Sequence, residues 1–464
     1  MSIHSSFSKN FGFLAKILVS YVIFISLIYF FNQDNSDRLG SFFIVFFAAI
    51  IALLYLGIGG GSRYGFKITR YFIIGFLIKI VIGFLFWEFY LFPDYFSNPI
   101  SKFYFDHYEY LYTYESLQDI AEYRISNGIF SFPILQILNK YVFIQYFMSN
   151  IYLSGSFNAF DLAIQNSLFS IYTSLVIAQI VKLAGGSSKQ IKFALLLTIF
   201  QPISFISSMI WRDVVGQFFV ALGGYLLYKA SKTNKILMLI LVLLASFSFF
   251  MQRYLYAFFP IIVMGGYYLF QRKNKFSLLL MPILFYIVLY FDNLLSLSTH
   301  LTESYGDNIS GIYFWLFLPI NVIRLFIGPF PWTNWFTFTD NTIFLIAQYF
   351  QAVVNISLII FLVKVLYKKK FLLKTKSISS ALSPLDYLFF ILFSLFILAG
   401  LGTKEIHVFY MSSGIIFLIQ SISLAYNNNN FKSILLRVFC FFIIFNAVFL
   451  LLGLGGEGLG NSFR

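Results

Sequence analysis

A short acidic segment of the chain places two carboxylates three residues apart. Asp106 and Glu109 are separated by His107 and Tyr108, and a further tyrosine follows. If the segment is helical, both carboxylates lie on one face, where such a pair can divide the work of a general base and a binder of substrate or metal. The alternative interpretation is a solvated loop whose acids have no chemical role. We predict Asp106 and Glu109 as candidate catalytic residues.

A second group of candidates consists of cations at the ends of apolar runs. Guanidinium groups match phosphate and diphosphate oxygens through paired hydrogen bonds. If the apolar runs lie in a membrane, charges held near them indicate function, although an interfacial anchor or a rigid turn would also place a cation there. The candidate diphosphate-binding residues are Arg212 with the adjacent Asp213, Arg253, Arg324 and Lys404.

His407 follows Lys404 and Glu405 in a tight connection between two apolar runs. An imidazole titrates near neutral pH, so His407 is a third candidate catalytic residue, as a proton carrier. A hydrogen-bonded histidine at the membrane interface is the competing interpretation. No residue is predicted as a metal ligand, and the single Cys440 provides neither a disulfide nor a thiolate metal site.

The elements that position these residues are predicted to be membrane helices. Of the 464 residues, 59% are hydrophobic and 11% are charged, and the mean hydropathy is +0.82. This composition excludes a soluble fold and predicts an all-α, polytopic integral membrane protein in one domain, 1–464, with about 13 transmembrane helices (range 11–14). The apolar runs fall near 11–31, 40–58, 71–92, 160–181, 191–210, 214–228, 236–251, 254–270, 276–295, 342–363, 384–401, 406–425 and 433–453.

Basic clusters alternate along the sequence with acidic segments, which predicts the orientation of every span. Basic loops stay in the cytoplasm, so the net charge of +14 indicates orientation and contact with anionic lipid, not nucleic-acid binding. With a cytoplasmic N-terminus, every basic cluster falls on the inner side of thirteen spans. The clusters are Lys9/Lys16, Arg63/Lys67/Arg70, Lys182/Lys189/Lys192, Lys229/Lys232/Lys235, Arg272/Lys273/Lys275, the lysines of 364–376, and Lys432/Arg437.

The same alternation constrains two ambiguous apolar segments. If 127–153 or 312–330 crossed the membrane, a later basic loop would lie outside. We therefore expect both segments at the outer face, as re-entrant or interfacial helices beside protein or a water-filled cavity. The predicted outer loops are 93–153, with an interfacial helix, and 296–341, with a re-entrant segment.

The outer-face sequence resembles bacterial O-antigen and capsule repeat-unit polymerases and the related GT-C type glycosyltransferases. The resemblance covers roughly 90–335. It rests on the acid-and-tyrosine segment 106–112, the Pro-to-Arg-Asp span end 202–213, the Arg253-Tyr254 corner, and the Arg-x-x-x-Gly-Pro-x-Pro-Trp turn from Arg324 to Trp332. Two features differ from the family. The first outer loop offers only Asp34 and Asp37, and the paired Arg-x10-Gly motifs of some polymerases are not found.

The resemblance implies a GT-C-like fold and an enzyme that joins undecaprenyl-diphosphate-linked oligosaccharide repeat units, for O-antigen or capsule, at the periplasmic face of the bacterial inner membrane. No cofactor follows with certainty, and a divalent metal ion would be compatible. The expected partners are lipid-linked glycans, membrane lipids, and a chain-length regulator and flippase of the same pathway. Two alternatives stay open: a GT-C transferase that moves a single sugar from polyprenyl phosphate, and a lipid-linked glycan flippase or other transporter.

Overall fold

A computed structural model describes residues 3–32, 38–59, 63–86, 119–128, 131, 142–151, 159–208, 213–252, 254–271, 350–357, 360 and 431–451, and no β-strand occurs among them. Residues 119–127 and 350–357 are helical. The other α-helices are α1 (Ile3–Phe31), α2 (Arg38–Gly57), α3 (Thr69–Phe86), α4 (Val142–Met148), α5 (Ala159–Leu183), α6 (Ser188–Phe200), α7 (Asp213–Ala230), α8 (Lys235–Gln252), α9 (Phe258–Gln271) and α10 (Phe431–Leu451). Two 3₁₀-helices span Pro202–Ser208 and Tyr254–Ala257.

Three helical segments within the described residues are long and apolar enough to cross a membrane: Gly12–Phe31, Leu39–Gly57 and Phe160–Leu183. Shorter apolar helices cover Val214–Ala230, Lys235–Met251 and Phe258–Tyr267. The all-helical, membrane-type architecture expected from composition is therefore confirmed at this coarse level. The predicted spans 276–295, 384–401 and 406–425, together with 296–341, lie outside the described residues, so the number of thirteen spans stays a prediction.

The exposed faces of the helices explain why the class is a membrane protein. In α2, Val45, Ala49, Ala52 and Leu56 are buried on one face. The opposite face is also apolar and exposed, which suits a helix that contacts protein on one side and lipid on the other. The exposed residues on that face are Leu39, Phe43, Phe47, Ile51, Leu54 and Ile58.

One predicted span is shorter than the apolar run indicates. The run 191–210 is not a single helix, because α6 ends at Phe200 and a 3₁₀-helix follows from Pro202. Proline lacks a backbone N–H and disfavours α geometry at the residue before it. The predicted span is therefore interrupted, and residues 201–212 separate α6 from α7.

The chain divides into two compact units. The first contains Met1–Leu175, Leu195–Phe200 and Ser204–Val215, and the second contains Val176–Ala194, Gln201–Ile203 and Gly216–Arg464. Helices α5 and α6 each have one part in the first unit and one part in the second. Their hairpin, which belongs to the second unit, is closed by Gly185 at a φ of 84° and by Ser187, whose hydroxyl and backbone N–H form a capping box with Gln190.

In the first unit, α1 and α2 form an antiparallel pair. Asn32 donates to Ser41 at one end (3.0 Å), Ser20 donates to the Ala52 carbonyl in the middle (2.8 Å), and Lys16 donates to the Ile58 carbonyl at the other end. The bond from Lys16 marks the end of the pair where α1 starts and α2 finishes. Arg63, Lys67 and Arg70 follow α2 in the sequence, near this end. This is the end that the charge pattern assigns to the cytoplasm.

The part of α5 in the first unit is a buried polar helix. Every residue from Phe160 to Leu175 is buried, although polar side chains recur along it. In a membrane such groups need partners, because lipid offers no hydrogen bonds. The polar residues are Asp161, Gln165, Asn166, Ser167, Ser170, Tyr172, Thr173 and Ser174.

The second unit packs α7 closely against α8. Ser248 donates to the Phe219 carbonyl (2.7 Å), and a Cβ built on Gly223 would lie 2.5 Å from the Phe249 ring. Farther along α7, the Tyr228 hydroxyl donates to the Leu183 carbonyl at the end of α5 (3.2 Å). Position 223 of α7 requires a glycine, because a larger residue there would collide with the Phe249 ring of α8.

Candidate functional site

Most of the predicted site residues lie outside the described residues. Asp213 is the exception, since it is the first residue of α7, but its side chain is not among those described. Convergence of these residues on one site therefore stays a prediction. The residues outside the described part are Asp106, Glu109, Arg212, Arg253, Arg324, Lys404 and His407.

The structure does describe the element that leads to Arg212. Within the first unit, Lys79 on α3 is fully buried, and its Nζ donates to the carbonyl and to the hydroxyl of Ser204 (2.7 and 2.8 Å). The same Nζ lies 4.7 Å from the centre of the Phe205 ring. A buried amine thus holds the 3₁₀-helix Pro202–Ser208, which ends four residues before Arg212.

Further hydrogen bonds complete this contact. Ser204 Oγ donates to the Ile199 carbonyl (2.6 Å), which is one of the carbonyls left without a partner at the end of α6. Ser207 Oγ donates to the Ser204 carbonyl (2.7 Å), and Ser167 on α5 contacts the Ser207 carbonyl at 3.4 Å. The serines of the predicted Pro-to-Arg-Asp segment therefore satisfy the backbone where the helix breaks.

A buried carboxylate that the sequence analysis did not single out joins three helices of the first unit. Ser41 donates to Asp161 Oδ2 (2.5 Å), and Asn32 donates to Ser41 Oγ (3.0 Å). All three residues are buried, at the end of α1, the start of α2 and the first turn of α5. A carboxylate in the first turn of a helix is favoured by the helix dipole. Its sequence signal was an acid at the start of the apolar run 160–181.

Arg124, at the end of the predicted acidic loop, binds the region around α4. Its side chain donates to the Tyr146 carbonyl (3.0 Å) and to Ser149 Oγ (2.8 Å), and its guanidinium carbon lies 3.9 Å from the centre of the Tyr146 ring. Burial lowers the pKa of Arg124, while the neighbouring Tyr146 and Tyr21 act in the opposite direction. Arg124 thus stabilises the segment that follows the loop.

The α4 region also contacts the middle of α1. Asn150 donates to the Tyr21 hydroxyl (2.9 Å), and the rings of Tyr21 and Phe147 are 6.1 Å apart. Tyr21 is near the centre of the apolar segment Gly12–Phe31. α4 has only 7 residues, so it is too short to span a membrane. Whether 127–153 is re-entrant or interfacial stays a prediction.

In the second unit, the Arg253 corner is also bordered by a 3₁₀-helix. α8 ends at Gln252, the 3₁₀-helix covers Tyr254–Ala257, and α9 starts at Phe258. Tyr256 is buried, and its ring lies 5.0 Å from that of Phe259. Both arginine corners that the sequence selected are thus next to short 3₁₀-helices.

In the described part of the chain, no three His, Cys, Asp or Glu side chains are grouped so that they could hold a metal ion. In comparisons with known proteins, no family model, no curated protein and no solved structure matches this chain. The class that the described structure defines is therefore an all-helical protein with membrane-type helices, a buried polar helix and an α-helix that is followed by a 3₁₀-helix from Pro202.

Proposed function

We propose that the protein is a membrane glycosyltransferase that polymerises undecaprenyl-diphosphate-linked oligosaccharide repeat units at the outer face of the membrane. The observation that carries the proposal is the supported corner at 202–213. A 3₁₀-helix held by Lys79 precedes Arg212, a residue type suited to a diphosphate. A cation that must stabilise a leaving group has to be held in place before the reaction, so a rigid support favours this role.

In the proposed reaction, the arginines bind the diphosphate of the donor chain. A sugar hydroxyl of the incoming unit attacks the anomeric carbon, and the bond between that carbon and the diphosphate oxygen breaks. Undecaprenyl diphosphate leaves with its charge stabilised by Arg212, Arg253 and Arg324, with Lys404 beside them. Asp106, Glu109 or His407 accepts the hydroxyl proton.

The experiment uses purified full-length protein in lipid nanodiscs with undecaprenyl-diphosphate-linked repeat units, and the products are separated by chain length. The wild type is expected to give a ladder of multiple units. Arg212→Ala and Arg324→Ala should abolish the ladder while the protein still inserts. Arg70→Ala, at the basic end of α3, is the matched control and should keep it. A normal ladder in both outer variants refutes the mechanism.

Two alternative functions predict different products. A GT-C transferase would add one sugar from polyprenyl phosphate. A cell that lacks such a transferase would carry an altered repeat unit, whereas a cell that lacks a polymerase would carry a single repeat unit per acceptor. A transporter is favoured by one observation, the buried polar residues of α5 beside a broken helix, which are common along translocation paths. Movement of lipid-linked units across proteoliposomes without chain extension would identify it.

A further inference from the structure

Lys79 carries a buried amine on α3, and three of its contacts fall on one element. The two hydrogen bonds to Ser204 and the contact with the Phe205 ring all fall on the 3₁₀-helix Pro202–Ser208. Ser204 is 125 residues away in sequence. A lysine placed inside an apolar helix is unfavourable unless its amine is satisfied, so its presence calls for a specific role.

The depth of this contact indicates what that role is. Lys79 is ten residues after Thr69, the first residue of α3, which corresponds to about 15 Å along the helix. This is about half of a bilayer core of roughly 30 Å. α6 has 13 residues and reaches about 20 Å. If α3 spans the membrane, as the apolar run 71–92 predicts, the 3₁₀-helix that Lys79 contacts lies at membrane depth, where irregular backbone must be satisfied by protein.

The hydrogen bonds at Ser204 supply that satisfaction. The Ser204 carbonyl accepts from Lys79 and from Ser207, and the Ser204 hydroxyl accepts from Lys79 while donating to Ile199. Lys79 thus holds Ser204, whose carbonyl and hydroxyl make the hydrogen bonds at the start of the 3₁₀-helix. Without its amine, the carbonyl and hydroxyl of Ser204 each lose a donor, and the 3₁₀-helix is free to shift.

We propose that Lys79 is a positioning residue that sets the place of the outer corner by holding the 3₁₀-helix Pro202–Ser208. Arg212 follows Ser208 by four residues, a distance of at most about 14 Å of chain. We therefore expect a shift of the 3₁₀-helix to move Arg212. The inference rests on the proposed function for its effect on catalysis, while its structural part is independent of it.

The chain offers a direct probe of this position, because Cys440 is its single cysteine. In a Cys440→Ser background, Ser208→Cys places a thiol at the end of the 3₁₀-helix. Lys79→Met removes the donors at similar side-chain length, and Lys79→Arg keeps a donor. Ile82→Met, on the exposed side of the same helix, is the matched control. Two quantities are measured in nanodiscs: the rate of maleimide labelling, and kcat and KM for chain extension.

Lys79→Met is expected to raise the labelling rate about tenfold, the effect of losing a hydrogen bond from a charged donor. The kcat should fall more than KM changes, because a displaced arginine costs most in the transition state. Lys79→Arg should restore both in part, and Ile82→Met should change neither. An unchanged labelling rate, or changed labelling with unchanged kcat, overturns the proposal.

Two further results separate this proposal from the proposed function. If the wild type extends no chains but Lys79→Met still exposes the thiol, the structural role stands and the polymerase assignment fails. If Lys79→Met does not insert, Ser204→Ala takes its place, since it removes one acceptor and leaves the lysine. Unchanged labelling in Ser204→Ala would then overturn the proposal.

Discussion

Ser41 donates a hydrogen bond of 2.5 Å to Asp161, so the start of α2 is joined to the start of α5 across 120 residues of chain. Both side chains are buried. The bond lies beside the connection between α1 and α2, because Asn32 at the end of α1 donates to the same hydroxyl. Three helices of the first unit are thereby joined at one end by one carboxylate.

The first prediction concerns this bond. Ser41→Ala removes a donor from a buried carboxylate, which should lower the free energy of unfolding by about 1–3 kcal/mol. The measurement is the thermal unfolding of purified protein in detergent. Ser126→Ala is the control, because Ser126 is exposed and bonds to the nearby Glu122 carbonyl, so a change within about 0.5 kcal/mol is expected. Equal effects of the two substitutions would contradict the assigned role of Ser41.

The second prediction concerns Arg124. Arg124→Lys keeps the charge but loses the planar contact with Tyr146 and the geometry of its hydrogen bonds, so stability should fall by about 1–3 kcal/mol. The control is Arg70→Lys, since Arg70 also contacts a tyrosine ring, that of Tyr71 at 4.8 Å, but is exposed. Limited proteolysis and thermal unfolding measure both. If Lys at 124 is tolerated as well as Lys at 70, burial of Arg124 is not stabilising.

The third prediction compares two helical glycines of the second unit. Gly223→Ala places a methyl group 2.5 Å from the Phe249 ring and should cost about 1–3 kcal/mol through overpacking. Gly265→Ala meets nothing within 4 Å and should stabilise α9 by up to about 1 kcal/mol. The test is whether the two substitutions change the free energy of unfolding in opposite directions. Phe249→Leu combined with Gly223→Ala should recover part of the loss, and an absence of recovery would place the strain elsewhere.

The fourth prediction tests the orientation read from the charges. In a Cys440→Ser background, Asn127→Cys should react with a membrane-impermeant maleimide on intact cells, and Lys67→Cys should react only after the membrane is opened. Both native side chains are exposed, so access through the protein does not limit the reaction. Labelling of the thiol at 67 from outside, or protection of the thiol at 127, would reverse the predicted topology.

Local sequence predicted several helices closely. The apolar runs 11–31, 40–58 and 160–181 correspond to the membrane-type segments Gly12–Phe31, Leu39–Gly57 and Phe160–Leu183. Continuous apolarity over about 20 residues is a local property, so it needs no knowledge of neighbours. The prediction of one continuous helix over 191–210 was wrong, because hydropathy does not register the change of backbone that Pro202 introduces.

The candidate site was only partly accessible to sequence reasoning. The Pro-to-Arg-Asp segment was selected from its residue types, and the structure adds that its serines bond to backbone carbonyls and to Lys79. Asp161 was missed because it stands at the edge of an apolar run and has no acidic neighbour in sequence. Its partner Ser41 is recognisable only when α2 and α5 are in contact.

By itself, the sequence determined the membrane class, the helix-forming runs and the predicted side of each loop, since hydropathy and charge act locally against lipid and water. Tertiary structure alone decided which polar groups meet: Lys79 with Ser204, Asp161 with Ser41, and Arg124 with Tyr146. A buried polar group must find a partner wherever the fold brings one close. That choice depends on residues far away along the chain, which no local pattern records.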